Sequence, residues 1–142
     1  MVEVKRLIQA GGDVNEQTEY GSTTLHAASA NGHVEVLKRL IQAGGEANTQ
    51  DGKGATPLLR ASENGHVDVV KKLIRAGGEV NEQDRKGATP LHWASMYGHV
   101  EVITALLAAG ADKTIEDEDG LTPHHYATSG ITRNYPAARN AL

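Results

Sequence analysis

Apolar residues gather along the chain into short runs with helical spacing. Val67, Val69, Val70, Leu73 and Ile74 share one face of a helix, as do Val100, Val102, Ile103, Leu106 and Leu107. Polar residues occupy the opposite face. There Glu35/Arg39 and Asp68/Lys72 stand at i,i+4, which predicts a solvated surface with modest ion-pair support. Gly44, Gly77 and Gly110, in register with Gly11, stop these helices. A shorter helix precedes each: Thr56-Pro57, Thr89-Pro90 and Thr122-Pro123 put a hydroxyl cap before a proline suited to the first helical position. Small residues, Ala61-Ser62 or Ala94-Ser95, allow close approach along the shorter helix, and Gly65 or Gly98 ends it. In front of it, Asp51, Asp84 and Asp117 each stand three residues before a glycine, the signature of a type I turn.

The pattern is periodic. Gly21, Gly54, Gly87 and Gly120 recur every 33 residues, as do Gly32-His33, Gly65-His66 and Gly98-His99. A turn-helix-helix unit of this length cannot bury its own apolar faces, so the units must stack. The expected architecture is an all-α solenoid with turn tips, forming a single domain over residues 1–142.

Composition narrows the function. Fourteen basic against 18 acidic side chains give a net charge of −4 without a long run of either sign, which disfavours nucleic acid or an anionic membrane as partner. With no cysteine, the chain has no disulfide, thiolate metal site or cysteine nucleophile. It contains no Asn-x-Ser/Thr sequon and no apolar stretch of membrane-spanning length, so the expectation is an intracellular soluble protein, cytoplasmic or nuclear. Sixteen glycines and no phenylalanine imply a core of Leu, Ile, Val and Ala in thin layers.

Periodicity also disposes of several candidate chemistries. His33, His66 and His99 occupy equivalent positions in successive units roughly 10 Å apart, too far to share one metal ion. His124 and His125 are neighbours that point about 100° apart on a helix. Ser29, Ser62 and Ser95 repeat with the period, as packing residues do and a nucleophile with a private base does not. Gly52-Lys53-Gly54-Ala55-Thr56 lacks phosphate-loop spacing and reads as a turn, and Glu116 to Asp119 reads as a solvated acidic loop. No catalytic, cofactor-binding or metal site is expected.

The runs Gly87-Ala88-Thr89-Pro90-Leu91-His92-Trp93-Ala94-Ser95, Gly98-His99-Val100-Glu101-Val102 and Leu106-Leu107-Ala108-Ala109-Gly110-Ala111-Asp112 resemble an ankyrin repeat from end to end. The resemblance covers roughly residues 1–130. It implies β-hairpin tips, full units at about 18–50, 51–83 and 84–116, the second half of a unit over 1–17, and a partial unit with a cap or tail over 117–142. Met1 then falls inside a second helix, so a fragment of a larger enzyme, channel or signalling protein is one alternative, and an engineered scaffold is another. Thr24 stands where the family has proline, and Leu59 where it has the histidine seen at His26, His92 and His125, which puts one inter-unit hydrogen bond in question. Gly12, Gly45 and Gly78 replace alanine, at about 0.5–1 kcal/mol each wherever alanine fits the backbone. The tail leaves the pattern from Ile131, with a short helix restarting at Pro136.

The resemblance further implies a monomeric, non-catalytic module that binds a partner protein through a concave groove formed by the tips and the exposed face of the first helices. By register the candidate contacts are Tyr20, Lys53, Arg60, Arg85, Lys86, Trp93, Met96, Tyr97 and Tyr126. Trp, Tyr and Arg are enriched in interface hot spots. The tips run acidic at Glu19, basic at Lys53, Arg85 and Lys86, and acidic again at Glu116 to Asp119, which suits a partner with an acidic segment. Asn15, Asn48 and Asn81 align with the family position that asparaginyl hydroxylases modify.

Overall fold

The computed structural model describes residues 12–128 and 136–142; the expectations for Met1, for Gly11 and for residues 131–135 lie outside them. The described residues hold eight helices and no strand: α1 (Thr24–Ala30), α2 (Val34–Gln42), α3 (Pro57–Asn64), α4 (Val67–Arg75), α5 (Pro90–Met96), α6 (Val100–Ala108), α7 (Pro123–Thr128) and α8 (Pro136–Ala141). The short helices α1, α3, α5 and α7 pack in sequence into one layer. Alongside it, α2, α4, α6 and α8 form a second, and each short helix also packs against its long partner. Helix α8 does restart at Pro136, and it covers α6 and α7.

The apolar periodicity explains the layers. Leu37, Leu40, Leu58, Val69, Val70, Leu73, Leu91, Ile103 and Leu106 are all fully buried, in one continuous aliphatic cluster running from Val14 to Ala138. Each such leucine stabilises the stack by about 1.5–3 kcal/mol relative to exposure. Ala61 and Ala94, with no exposed surface, let neighbouring short helices approach closely. The outer-face pairs behave differently from expectation. Among the described residues only Arg60 forms ion pairs within 4.0 Å, so Glu35/Arg39 and Asp68/Lys72 stay apart. Exposed pairs gain too little Coulomb energy to offset the ordering of two long side chains.

Polar side chains bridge the units in a repeating ladder. The Asn15 and Asn48 amides donate to the Gly44 and Gly77 carbonyls, while the Oδ1 atoms of Asn15, Asn48 and Asn81 accept the Glu46, Glu79 and Asp112 amides, each at 2.8 Å. At the base, His66 and His99 direct Nε2 to the Ala30 and Glu63 carbonyls of the preceding unit, at 3.0 and 2.9 Å. A Cβ at Gly65 would sit 2.6 Å from the His99 ring, and its φ of +76° also calls for glycine. The three periodic serines are fully buried, and each hydroxyl donates to the carbonyl four residues back. Gly45 and Gly78 qualify the expected penalty for replacing alanine: a Cβ there would lie 2.8 Å from the Leu40 or Leu73 carbonyl oxygen. Alanine occupies the equivalent position 111, where the amide-to-carbonyl hydrogen bond is 3.0 Å rather than 2.8 Å.

Two of the three expected capping threonines act as such, the Thr56 and Thr89 hydroxyls accepting the amides of Leu59 and His92, and Thr23 does the same for His26. At Thr122 the His125 amide goes to the backbone carbonyl instead. His26 and His92 complete a reciprocal cap. Nδ1 accepts the Thr23 or Thr89 amide at 3.1 Å, and Nε2–H donates to the Ala55 or Leu121 carbonyl of the next tip at 2.8 Å. Leu59 makes neither bond and fills its site as a buried apolar side chain.

This arrangement requires neutral imidazoles, because a proton on Nδ1 would face a backbone N–H. Burial holds both rings below their ordinary value of 6.5, outweighing the opposing pull of the Ala55 and Leu121 carbonyls. On acidification the unfolded chain therefore takes up protons near pH 6.5 before the folded chain does. The stabilisation is complete above that pH and is lost as pH falls toward the folded-state values. Urea unfolding at pH 7.5 and 5.5 should show weaker folding at the lower pH. The double variant His26→Leu/His92→Leu, which copies position 59, should show a smaller loss over the same interval.

Candidate functional site

Each tip is a four-residue turn closed by an amide-to-carbonyl bond, Gly54 to Asp51, Gly87 to Asp84 and Gly120 to Asp117, at 2.8–2.9 Å. Adjacent tips are tied by single backbone bonds: Gly52 to Tyr20, Arg85 to Lys53 and Glu118 to Lys86. Gly54 has φ +77°, and a Cβ on it would meet the Arg85 nitrogen at 2.8 Å. The tips are thus turns set edge to edge, without ladder strands.

One carboxylate organises each of these three tips. Asp51 Oδ1 accepts the Lys53 and Ala55 amides; Asp84 Oδ1 accepts those of Lys86 and Ala88; Asp117 Oδ1 accepts those of Asp119 and Leu121, all at 2.9–3.0 Å. The second oxygen reaches the side chain nine residues on. Asp51 Oδ2 accepts Arg60 Nη2 at 2.8 Å and Nε at 3.2 Å, Asp84 Oδ2 accepts the Trp93 indole N–H at 3.0 Å, and Asp117 Oδ2 accepts the Tyr126 hydroxyl. Arg60, Trp93 and Tyr126 differ in chemistry and fill one role, that of a donor locking the short helix to its tip.

The electrostatics follow. Burial pushes the Asp51 carboxyl up, but the Arg60 hydrogen bond and the Ala55 and Lys53 amides bring it below its ordinary value of 3.8. Asp117 is also lowered, its burial outweighed by the Tyr126 hydroxyl and the Leu121 and Asp119 amides. Burial, followed by the Asp117 hydrogen bond and charge, drives the Tyr126 phenol far above its usual range. Burial opposes the Arg60 charge, but Asp51 and Glu63 together raise its affinity for the proton. The Arg60 charge is spent inside the chain, on Asp51 and on Glu63 at 3.1 Å.

Open clefts lie between successive tips. The first, about 900 Å³, is lined by Glu19, Tyr20, Lys53 and Arg60 among others. The second, about 340 Å³, lies between Lys53 and Arg60 on one side and Arg85, Lys86 and Trp93 on the other. The third, about 200 Å³, is lined by Lys86, Trp93, Met96, Tyr126 and the acidic tip at 117–119. Neighbouring clefts share lining residues, so eight of the nine candidate residues fall on one row, with Tyr20 and Tyr126 at opposite ends. The ninth, Tyr97, lines a separate depression with Glu63, Asn64 and His99, and joins the row by stacking on Trp93, centroids 6.2 Å apart at 17°. Tyr20 is 75 % exposed and Tyr97 39 %. Lys53, Arg85 and Lys86 are exposed, and among the described residues no ion pair engages their charges.

Sequence reasoning assigned Asp51, Asp84 and Asp117 to the turns and overlooked their second role. A signal for it existed. Three units carry Asp at the first tip position and a donor nine residues later, whereas the first unit has Thr18 and Ala27 and so lacks both. Thr18 Oγ1 serves only the tip, accepting the Tyr20 and Ser22 amides. Among the described residues no group of three His, Asp or Glu side chains is placed to hold a metal, and no helix is long and apolar enough to cross a membrane.

Stacked turn-helix-helix units with a row of clefts along one edge define a helical-repeat solenoid. A family model described as ankyrin repeats (3 copies) matches residues 3–84 and again 58–139, and the chain belongs to the ankyrin-repeat family. Ankyrin repeats are generally protein–protein interaction modules and are typically non-catalytic. No curated protein gives a significant match to the chain.

If the carboxylate and the donor act as a unit, installing both in the first unit should stabilise the chain by more than the two separate changes combined. Chemical unfolding of Thr18→Asp, Ala27→Tyr and the double variant should give a favourable coupling of about 1 kcal/mol, the scale of a hydrogen bond to a partly buried charge. Strict additivity would mean that the pairing contributes nothing.

Proposed function

We propose that the chain is a monomeric, non-catalytic binding module that takes up a segment of a partner protein along its tips and first-helix layer. The observation that carries this reading is the Trp93–Tyr97 stack. Trp93 lines the second cleft and is held by a hydrogen bond to Asp84, while Tyr97 stacks on it, also meets the His99 ring, and is left exposed. Rings fixed before binding present contact area at little ordering cost, the condition under which a modest surface yields useful affinity. Tyr20, Met96 and Tyr126 extend the apolar surface to either side. Lys53, Arg85 and Lys86 supply free charge along the rim, and Arg60 contributes the face of a guanidinium already neutralised by Asp51 and Glu63.

Affinity capture from lysate with the native chain, set beside Trp93→Ala/Tyr97→Ala and the lock-preserving Trp93→Tyr, tests this reading. The double variant should lose the captured protein while its circular dichroism stays helical, and Trp93→Tyr should keep most of it. Equal capture by all three would move the binding surface away from the aromatic pair.

A further inference from the structure

Resting on that reading, we infer that the partner segment is dipolar: an acidic block over the second cleft, an apolar side chain against Trp93, and a basic block over the third cleft. The three clefts differ in net charge. In the first, Lys53 and Arg60 are matched by Glu19 and Asp51, so its wall is neutral. In the second, Lys53, Arg60, Arg85 and Lys86 face only Glu63 and Asp84, a net charge of +2. Arg60 and Glu63 neutralise each other there, and Asp84 is committed to two amides and the indole. The surplus therefore resides on Lys53, Arg85 and Lys86, which are exposed to a ligand. In the third cleft Lys86 faces Asp117, Glu118 and Asp119, a net charge of −2. Glu118 and Asp119 are exposed; Asp117 is engaged by its own turn and by Tyr126.

Trp93 lines both the positive and the negative cleft, so its ring marks the boundary between them. A long acidic segment running along the tips would meet repulsion as soon as it passed Trp93, and a long basic one would meet it on the other side. Like charges brought face to face across an interface are unfavourable, which makes the change of sign at Trp93 a filter for charge order. The geometry also sets the block length. Short helices packed roughly 8–10 Å apart, under an extended chain rising about 3.3 Å per residue, place each cleft beneath about three residues.

Peptides built to this measure provide the test, followed by the fluorescence of Trp93, the sole tryptophan. One carries a glutamate block, a leucine and a lysine block, each block about three residues long; the other replaces the lysines with glutamates. The native chain should bind the dipolar peptide about tenfold more tightly, a modest share of the penalty for like-charge juxtaposition. Glu118→Arg/Asp119→Lys copies into the fourth tip the residues that the third tip carries at the same positions, so its turn is retained, and this variant should prefer the all-glutamate peptide. Equal binding of the two peptides, a preference unmoved by the exchange, no binding of either, or tighter binding of a single-stranded oligonucleotide would each overturn the inference. Any of these results, found while the aromatic pair still governs protein capture, would leave the groove reading standing and remove only the charge order.

Discussion

No unit of this chain buries its apolar faces by itself, and the layered core follows from that constraint. The short helices bury Leu58 or Leu91 on one side and present small residues such as Ala61 and Ala94 for close approach, so the apolar face of one unit is complete only when the next covers it. Because the contacts are between neighbours, stability accumulates along the stack rather than around one centre. The polar ladder repeats the same logic. Asn48, His66 and the capping His26 each hydrogen-bond a backbone carbonyl of an adjacent unit. Where Leu59 interrupts the histidine series, apolar burial takes the place of that bond.

Stacking sets the tips side by side, but it does not by itself fix what they present. That task falls to a single carboxylate in each of the second, third and fourth tips. One oxygen folds the turn and the other holds the residue nine positions on, so tip and helix face form one rigid piece. The consequence is a tip surface held in one arrangement by bonds within the chain. Charge is sorted by the same device, since Arg60 is consumed by its lock whereas Lys53, Arg85 and Lys86 remain available.

Much of the fold was legible in the sequence because its signals are local and recur. Glycine and proline positions, the Thr caps and the apolar spacing all have the same period, and the structure realises them at Thr56, Pro57 and Gly65 as at Thr89, Pro90 and Gly98. The locks were hidden by their own diversity. Arg60, Trp93 and Tyr126 break the period in identity, so comparison by residue type sets them apart, although geometry makes them equivalent. The surface ion pairs erred the other way. Glu35/Arg39 and Asp68/Lys72 have the right spacing, yet a pairing worth only tenths of a kcal/mol on an exposed helix does not dictate where long side chains rest. The row of candidate contacts could be placed by register, but the cleft charges could not be, since they depend on which carboxylates are already engaged.

A preformed binding face requires that Asp84 hold Trp93 in the unbound chain. The indole N–H gives the most direct measure, as a single tryptophan yields a single indole resonance. Its proton exchange and nitrogen relaxation in the free protein should match those of the α5 backbone, with slowed exchange and no fast large-amplitude motion. An indole proton that exchanges at the rate of a free side chain, on a ring reorienting independently of its helix, would contradict the account.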